Sequence, residues 1–305
     1  MGTVVALVAA LIVTGCYSPR AEDCAYTCNA GACPSGLYCV QAVCRDEPAK
    51  LGPCTSNSDA GRDVIPSNYS SVVLADLPTA YFRLGEMVGA TQAFNEIAGA
   101  GDGAYTPSVM LGMPGALSDT STAATFEPST GVQCATVTSA ARYDISNAAS
   151  FSLEAWIHIE TYLQTTTSHR EIVGKLGAVG AVDSGYSLGL QWEPSAGMSR
   201  IRLRVGDGVA AQTLAGAALS LDTWHHVVAT LEGTNKAVKF YVNGQNAGTG
   251  TFTVDSAAIT TADFAIGCRD ERGTLREGFD GSIDEVAFYR TVLSPGQVMT
   301  HFQNR

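Results

Sequence analysis

Two adjacent carboxylates, Asp284 and Glu285, have the side-chain type that acid–base catalysis and metal binding use. A carboxylate pair that hydrolyses a glycosidic bond with retention must face one cleft, with its groups about 5–5.5 Å apart. The stretch around this pair reads as a β-strand, on which neighbouring side chains point to opposite faces. We therefore expect Asp284 and Glu285 to diverge, and the sequence predicts no catalytic carboxylate pair.

Three arginines, Arg200, Arg202 and Arg204, alternate with apolar residues and so share one face of a predicted strand. Forked guanidinium groups bind carboxylates and sulfates, which makes this stripe a candidate site for an acidic ligand. A solvated outer face that also discourages edge pairing is the alternative that we favour. His225 and His226 are neighbours on a strand, so we interpret them as structural residues rather than as a metal pair.

The chain contains nine cysteines. Six of them lie close together near the N-terminus: Cys24, Cys28, Cys33, Cys39, Cys44 and Cys54. No histidine lies near this cluster and its spacing lacks the Cys-x2-Cys pairs of zinc ribbons, which favours disulfides over zinc. The sequence does not fix their connectivity. The distant Cys134 and Cys268 are predicted to form a further bridge, with two buried free thiols as the alternative.

The N-terminal residues have the pattern of an export signal. Residues 3–14 form a mostly apolar run of about a dozen residues, whereas a membrane-spanning helix needs roughly 20. The run ends at Val13-Thr14-Gly15-Cys16, which resembles a bacterial lipobox, so we predict a signal peptide over 1–16 and lipidation of Cys16. An ordinary secretory signal with an incidental cysteine is the alternative. Tyr17 replaces the aspartate that retains some lipoproteins at the inner membrane, which favours the outer membrane or the cell surface.

The amino-acid composition excludes some classes of binding partner. Charged residues make up 15% of the chain, hydrophobic residues 46%, and the formal net charge is -11. Binding to nucleic acid needs clustered lysine and arginine, so such partners are excluded. An acidic chain with few charges is typical of a solvated exported protein.

Alternating apolar and polar residues predict a chain of short strands. The pattern is clearest over 151–159, 224–232 and 237–243, and the last of these ends in Asn243-Gly244, a dipeptide typical of a tight hairpin turn. Further strands are predicted at 123–127, 132–137, 171–176, 185–193, 200–205, 246–252, 263–267 and 279–290. A single helix is predicted to begin after Ser294, with Gln297 completing a capping box and with Val298 and Phe302 packed on the strands.

Three phrases carry a family resemblance: Ala80-Tyr81-Phe82-Arg83-Leu84, Trp224-His225-His226 and Ile283-Asp284-Glu285-Val286. Together they resemble the laminin-G-like branch of the concanavalin A-like lectin and glucanase superfamily. The resemblance implies an all-β, concanavalin A-like antiparallel jelly-roll sandwich over 76–305. A Cys-rich, disulfide-linked module over 17–54 and a polar linker over 55–75 would precede it.

The resemblance also implies a function and a cofactor. Asp284 matches an aspartate that binds a structural calcium ion in related domains, and Asp102 stands where it can substitute for a second ligand; a purely structural carboxylate is the alternative. The Glu-x-Asp-x-x-Glu triplet of jelly-roll glucanases does not occur in this sequence. We therefore expect an exported, membrane-anchored lipoprotein that binds a glycan or a surface protein without catalysis. The alternatives are a carbohydrate-active enzyme and a purely structural envelope protein.

Overall fold

A computed structural model of the chain describes residues 38–40, 43–45, 68–138, 141–146, 149–165, 168–255, 261–271 and 273–305. The chain divides into two units, residues 1–63 and 64–305. Cys16, Cys24, Cys28, Cys33 and Cys54 lie outside the described residues, as do the predicted signal peptide and most of the predicted linker. Within the described part of the chain, no helix is both long and apolar enough to cross a bilayer.

In the N-terminal unit, two short strands form an antiparallel pair. β1 covers Tyr38–Val40 and β2 covers Val43–Arg45. In this pair Cys39 lies directly opposite Cys44.

Among the described residues, the second unit contains eighteen strands and two helices. Its strands are β3 (Ala80–Phe82), β4 (Gln92–Ala93), β5 (Gly103–Tyr105), β6 (Met110–Pro114), β7 (Thr122–Phe126), β8 (Ala135–Val137), β9 (Phe151–Ile159), β10 (His169–Val179), β11 (Val182–Glu193), β12 (Met198–Asp207), β13 (Ala211–Leu219), β14 (Trp224–Glu232), β15 (Ala237–Val242), β16 (Gln245–Thr251), β17 (Phe264–Ile266), β18 (Arg269–Glu271), β19 (Thr274–Arg276) and β20 (Gly281–Tyr289). The helices are α1 (Tyr69–Ala75) and α2 (Pro295–Gln303).

Sixteen of these strands form the predicted antiparallel sandwich, whereas β18 and β19 form a separate two-stranded pair. The first sheet has the order β13-β12-β11-β10-β17-β8-β5-β4, and the second has the order β16-β15-β14-β9-β20-β7-β6, with β3 also paired to β20. One face of each strand fills the space between the sheets; on β9 the residues Phe151, Leu153, Ala155, Ile157 and Ile159 are all completely buried. This alternation is the one that the sequence predicts.

Two local predictions are confirmed in detail. Asn243 and Gly244 both have positive φ angles, 51° and 76°, and Val242 pairs with Gln245 across them, as a two-residue hairpin requires. At α2, the side chain of Ser294 accepts a hydrogen bond from the N–H of Gln297, and the Gln297 side chain bonds back to the backbone of Ser294. The predicted bridge is also present, between Cys134 before β8 and Cys268 before β18, with their Cα atoms 5.4 Å apart.

The domain boundary that the sequence predicts is placed too late. The predicted linker over 55–75 contains α1, whose Tyr69 and Val73 are completely buried. Together with α2, this helix covers the outer face of the second sheet over a second apolar cluster that includes Trp156, Tyr289 and Val298. The folded unit therefore includes residues before 76.

Several strands were not predicted, among them the short strands β4, β5 and β6 and the nine-residue β13. β4 has two residues, and β6 contains a bulge and a glycine, Gly112, with φ of 76°. β13 has the sequence AQTLAGAAL, in which alanine and glycine leave the apolar alternation too weak to predict a strand.

Candidate functional site

An open groove of about 410 Å³ lies beside the segment that connects β3 to β4 and continues past β4. Its volume is within the range of small-molecule sites in proteins. The residues that line it are Arg83, Gly85, Glu86, Met87, Ala90, Phe94, Glu96 and Ser121. Apart from Ser121, which precedes β7, all of them come from this one segment of the chain.

The Glu86 carboxylate is held in a fixed position on one wall of the groove. Its Oε1 accepts a hydrogen bond from the N–H of Phe94 at 2.8 Å, and its Oε2 accepts one from the Tyr105 hydroxyl at 2.7 Å. Two donors from different elements restrict the rotation of this side chain. Each carboxylate oxygen can accept a further bond, so Glu86 offers a preorganised acceptor to a ligand.

The groove also has an unusually exposed apolar surface. Met87 is 84% exposed, its neighbour Val88 82%, and Phe94 53%. Single exposed apolar side chains are common, but a contiguous group beside a groove is typical of a binding surface. Phe94 and Glu86 both line the groove, and the backbone N–H of Phe94 donates to the fixed carboxylate.

Arg83 contributes the positive charge of the groove, and this charge is already balanced. Its Nε donates to Glu285 Oε1 at 3.0 Å, and its Nη2 lies 3.6 Å from Asp119 Oδ2. Ser121 is held nearby, since its N–H donates to Asp119 Oδ1 at 2.8 Å. Arg83 therefore connects the groove to the carboxylate pair on β20.

Asp284 and Glu285 lie on the same side of their sheet, which corrects the expectation that they diverge. β20 has a β-bulge between Asp284 and Ala287, and Glu285 has a φ of 52°. The extra residue of a bulge interrupts the alternation of side chains. Asp284 Oδ2 accepts the N–H of Ala116 at 2.9 Å, and Glu285 accepts hydrogen bonds from the Tyr81 hydroxyl and from Arg83. Both carboxylates are completely buried, so they form no open catalytic cleft.

Burial disfavours the state in which both carboxylates of this pair are ionised. Burial, reinforced by the charge of Glu285, raises the pKa of Asp284 well above its ordinary value. Burial also raises the pKa of Glu285, to about 7, although the Arg83 charge and the Tyr81 hydroxyl oppose this shift. Asp284 Oδ1 has no hydrogen-bond partner among the described residues. A proton or a metal cation would satisfy this oxygen.

Asp102, the other residue of the expected calcium site, lies in the turn between β4 and β5. Its Oδ1 accepts the N–H of Asn95 at 2.9 Å. Asn95 in turn accepts the N–H of Tyr81 at 3.1 Å through its side-chain oxygen. The structure thus gives Asp102 a role in bracing this turn, and it does not bring Asp102 into contact with the hydrogen-bonding partners of Asp284.

The three arginines of β12 share one face, as predicted, but they do not form a free stripe. Arg202 is completely buried and pairs with Glu171, which is also buried. Arg204 pairs with Asp183, and Arg200 donates through Nε to the carbonyl of Gly216 at 2.7 Å. The expectation that Arg202 is presented to an acidic ligand is therefore wrong, because the carboxylate of Glu171 already binds its guanidinium. The favoured alternative, a solvated outer face, is also wrong for Arg202, since this side chain is completely buried.

A buried network around Glu154 on β9 was not predicted. Glu154 accepts hydrogen bonds from the hydroxyls of Tyr69 and Tyr289 at 3.0 and 2.9 Å. His226 Nε2 lies 2.6 Å from Glu154 Oε1 and His301 Nδ1 lies 2.9 Å from it, while His301 Nε2 is 2.9 Å from Asp76. His225 points elsewhere, to Ser220. Only the outward position of Glu154 on its strand was visible in the sequence, because its partners are far away along the chain.

The Glu154 network ties α1 and α2 to the second sheet. The charge and the hydrogen bonds of His301 and His226 hold the pKa of Glu154 far below its usual range, despite an opposing effect of burial. Its carboxylate is completely buried, so no substrate reaches it. We interpret the network as structural.

Comparisons with known proteins agree with this architecture. The family model described as the concanavalin A-like lectin/glucanases superfamily matches residues 129–299. A comparison with curated proteins found no match.

Three solved structures illustrate the likeness in fold. Domain 4 of AbnA, a GH43 extracellular arabinanase from Geobacillus stearothermophilus in complex with arabinotriose, has a TM-score of 0.51 at 20% identity, covering 74% of this chain and 98% of that one. The binding domain of Paraclostridial Mosquitocidal Protein 1 has a TM-score of 0.54 at 11% identity, covering 75% of this chain and 52% of that one. The botulinum neurotoxin serotype D binding domain has a TM-score of 0.53 at 13% identity, covering 76% and 52% respectively.

Proposed function

The chain belongs to the concanavalin A-like lectin/glucanases superfamily, and we propose that its sandwich domain binds glycans without catalysis. The groove beside β4 is the proposed site. The observation that carries the proposal is the pairing of an exposed aromatic ring, Phe94, with the fixed carboxylate of Glu86. Sugar sites combine an apolar surface, which packs against the C–H face of the ring, with a few fixed polar groups that bind hydroxyls.

Two further points support a binding role. The structural neighbour from the arabinanase was solved with arabinotriose, and its whole chain corresponds to one sandwich of this kind. The buried pair Asp284 and Glu285 lacks an open cleft, so it offers no route to glycoside hydrolysis. Fold alone does not define function, so the proposal depends on the groove.

A glycan panel probed with the full chain tests the proposal. We expect saturable binding to a subset of glycans, with no release of reducing ends from the same ligands. If the well-folded chain bound no glycan, the proposal would be wrong and a protein ligand or a structural role would replace it. Turnover of a polysaccharide would instead favour the enzyme alternative.

We extend the proposal to a structural calcium ion at Asp284. The unpartnered Oδ1 of Asp284 fits this idea. A Cβ at Gly115 would lie 2.9 Å from Asp284 Oδ2 and 2.7 Å from the Ser121 carbonyl oxygen, so glycine at this position lets the backbone pass close to both oxygens. Among the described residues no group of three or more His, Cys, Asp or Glu is suited to a metal. Backbone carbonyls and water, which calcium accepts, would complete the shell.

A bound divalent ion would neutralise the carboxylate pair beneath the groove and brace Ser121. We expect EDTA to lower the melting temperature of the full chain, and Asp284→Asn to abolish this effect. The variant Asp102→Asn shows separately whether Asp102 contributes to calcium binding. If EDTA left the melting temperature unchanged and mass spectrometry found no metal, the proposed calcium site would be wrong.

The proposal also covers export and membrane anchoring by the N-terminal residues. Residues 1–16 are proposed to direct export, Cys16 to carry the lipid, and the Cys-rich module to hold the sandwich away from the outer membrane or the cell surface. Metabolic labelling with a radioactive fatty acid tests this part. We expect label in the wild-type chain and none in Cys16→Ser, whereas equal labelling of both would exclude lipidation at Cys16.

A further inference from the structure

The polar groups that line the groove are mostly acidic. Glu86 and Glu96 line it directly, and Asp119 lies behind Ser121 and next to Arg83. Glu96 is exposed, whereas Glu86 is partly buried and fixed by two donors. A ligand in the groove therefore meets at least two carboxylates.

The Arg83 guanidinium does not offset these charges. Its Nε is bound to the buried Glu285 and its Nη2 faces Asp119, so two carboxylates share one cation. The chain as a whole has a formal net charge of -11, which adds a repulsive field of the same sign.

The other cationic candidate for an acidic ligand is occupied internally. Arg202 and Arg204 on β12 pair with Glu171 and Asp183, and neither arginine lines the groove. Acidic sugars would therefore meet the carboxylates of Glu86 and Glu96, which form no ion pair with the described residues, while the guanidinium of Arg83 already serves Glu285 and Asp119.

From these charges we infer that the groove selects neutral glycans and rejects those that carry carboxylate or sulfate groups. This inference rests on the proposed glycan-binding function and adds its ligand class. A neutral sugar donates its hydroxyl protons to Glu86 and Glu96 and packs a C–H face on Phe94. An acidic sugar brings a second negative charge to within a few ångströms of these carboxylates.

Matched polysaccharides test the inference on the full chain. Galactan and polygalacturonate are built on neutral and acidic galactose units respectively, and affinity electrophoresis at low salt compares them directly. Because the configuration of their linkages also differs, fully methyl-esterified polygalacturonate, which has the acidic polymer's backbone without its charge, is run beside them as the matched neutral polymer. We expect binding to the acidic polymer to be at least about tenfold weaker, since like charges in partly screened surroundings repel by this order. The difference should shrink as salt is added.

Variants assign the selectivity to the groove. Glu86→Gln with Glu96→Gln should raise the affinity for polygalacturonate relative to galactan by about tenfold. Glu232→Gln, which changes an exposed glutamate on β14 outside the groove, should leave the ratio unchanged. An unchanged melting temperature in all three chains shows that folding is intact.

Each outcome separates this inference from the proposed function. Equal or tighter binding of polygalacturonate by the wild-type chain would overturn the inference and leave glycan binding standing. A preference for galactan that survives Glu86→Gln with Glu96→Gln would overturn the assignment to this groove. If neither these polymers nor any glycan of the wider panel bound, the proposed function would fail and the inference with it.

Discussion

Arg202 on β12 and Glu171 on β10 form a buried ion pair, with side chains 0% and 1% exposed. The pair joins the middle of β12 to the beginning of β10, and both strands are hydrogen-bonded to β11. This ion pair explains why three arginines can lie on one face of β12 in an acidic chain without forming a free basic surface.

Arg202→Ala should be strongly destabilising. Removing one partner of a buried pair leaves an uncompensated charge, which costs about 3–5 kcal/mol. Arg200→Ala should cost less than about 1 kcal/mol, because Arg200 is partly exposed and its ion pair with Glu193 is long, at 3.5 Å. Chemical denaturation of both variants measures the difference. Similar free energies of unfolding for the two would show that the Arg202 pair is not buried as described.

The Glu154 network predicts how stability depends on pH. The pKa of Glu154 is depressed, so its contribution is present above its ordinary value of 4.5 and is lost as pH falls into strongly acidic solution. Glu154 and Asp76 raise the pKa of His301, against an opposing effect of burial; this contribution is complete below 6.5 and is lost as pH rises through the raised value. The network should therefore stabilise the fold most between these two limits.

Melting temperatures of the wild type and His301→Gln across pH test this prediction. The variant should melt lower than the wild type near pH 5.5, and the gap should narrow as pH rises above the raised His301 pKa. His225→Gln serves as a control of opposite sign, because burial lowers the pKa of His225 and its imidazole contacts Ser220 instead of a carboxylate. The gap in melting temperature for this variant should not narrow as pH rises. A gap that stays constant with pH would contradict the charged state assigned to His301.

Glu277, which follows β19, should reduce stability at alkaline pH. Burial and the neighbouring charge of Glu171 raise its pKa to about 7. A raised carboxyl pKa means that stability is complete below the ordinary value of 4.5 and falls as pH rises through about 7. Glu277→Gln should therefore raise the melting temperature at pH 8 relative to the wild type and change it little at pH 4.5. Glu271→Gln is the matched control, and an equal rise in both variants would exclude this explanation.

The bridge between Cys134 and Cys268 should contribute substantially to stability. It closes a loop with a sequence separation of 134 residues, for which loop-closure entropy gives about 4–5 kcal/mol. The double variant Cys134→Ser with Cys268→Ser should unfold at a much lower denaturant concentration. The same unfolding midpoint for the oxidised wild type and the double variant would show that the bridge does not form in solution.

The fold was largely predictable because its signals are local. Alternation on β9, Asn243-Gly244 after β15 and the capping box at Ser294 each lie within a few residues of the chain. The β-bulge that turns Asp284 and Glu285 to one side has no comparable signal, since a bulge depends on pairing with strands far away in sequence. The groove was missed for the same reason, because the fixation of Glu86 by Tyr105 is a tertiary contact. α1 was assigned to the linker because seven residues give too short a helical pattern to recognise.

Measuring the contribution of Phe94 to glycan binding tests the proposed glycan site most directly. Phe94→Ala removes a half-exposed ring from the groove, so it should weaken binding to a panel-positive glycan by at least about tenfold, as truncation of an aromatic contact residue does. Val209→Ala, at an apolar side chain that is 85% exposed outside the groove, is the control for surface effects. We expect lost affinity with an unchanged melting temperature in Phe94→Ala alone. Full affinity in that variant would show that glycans bind elsewhere on the sandwich.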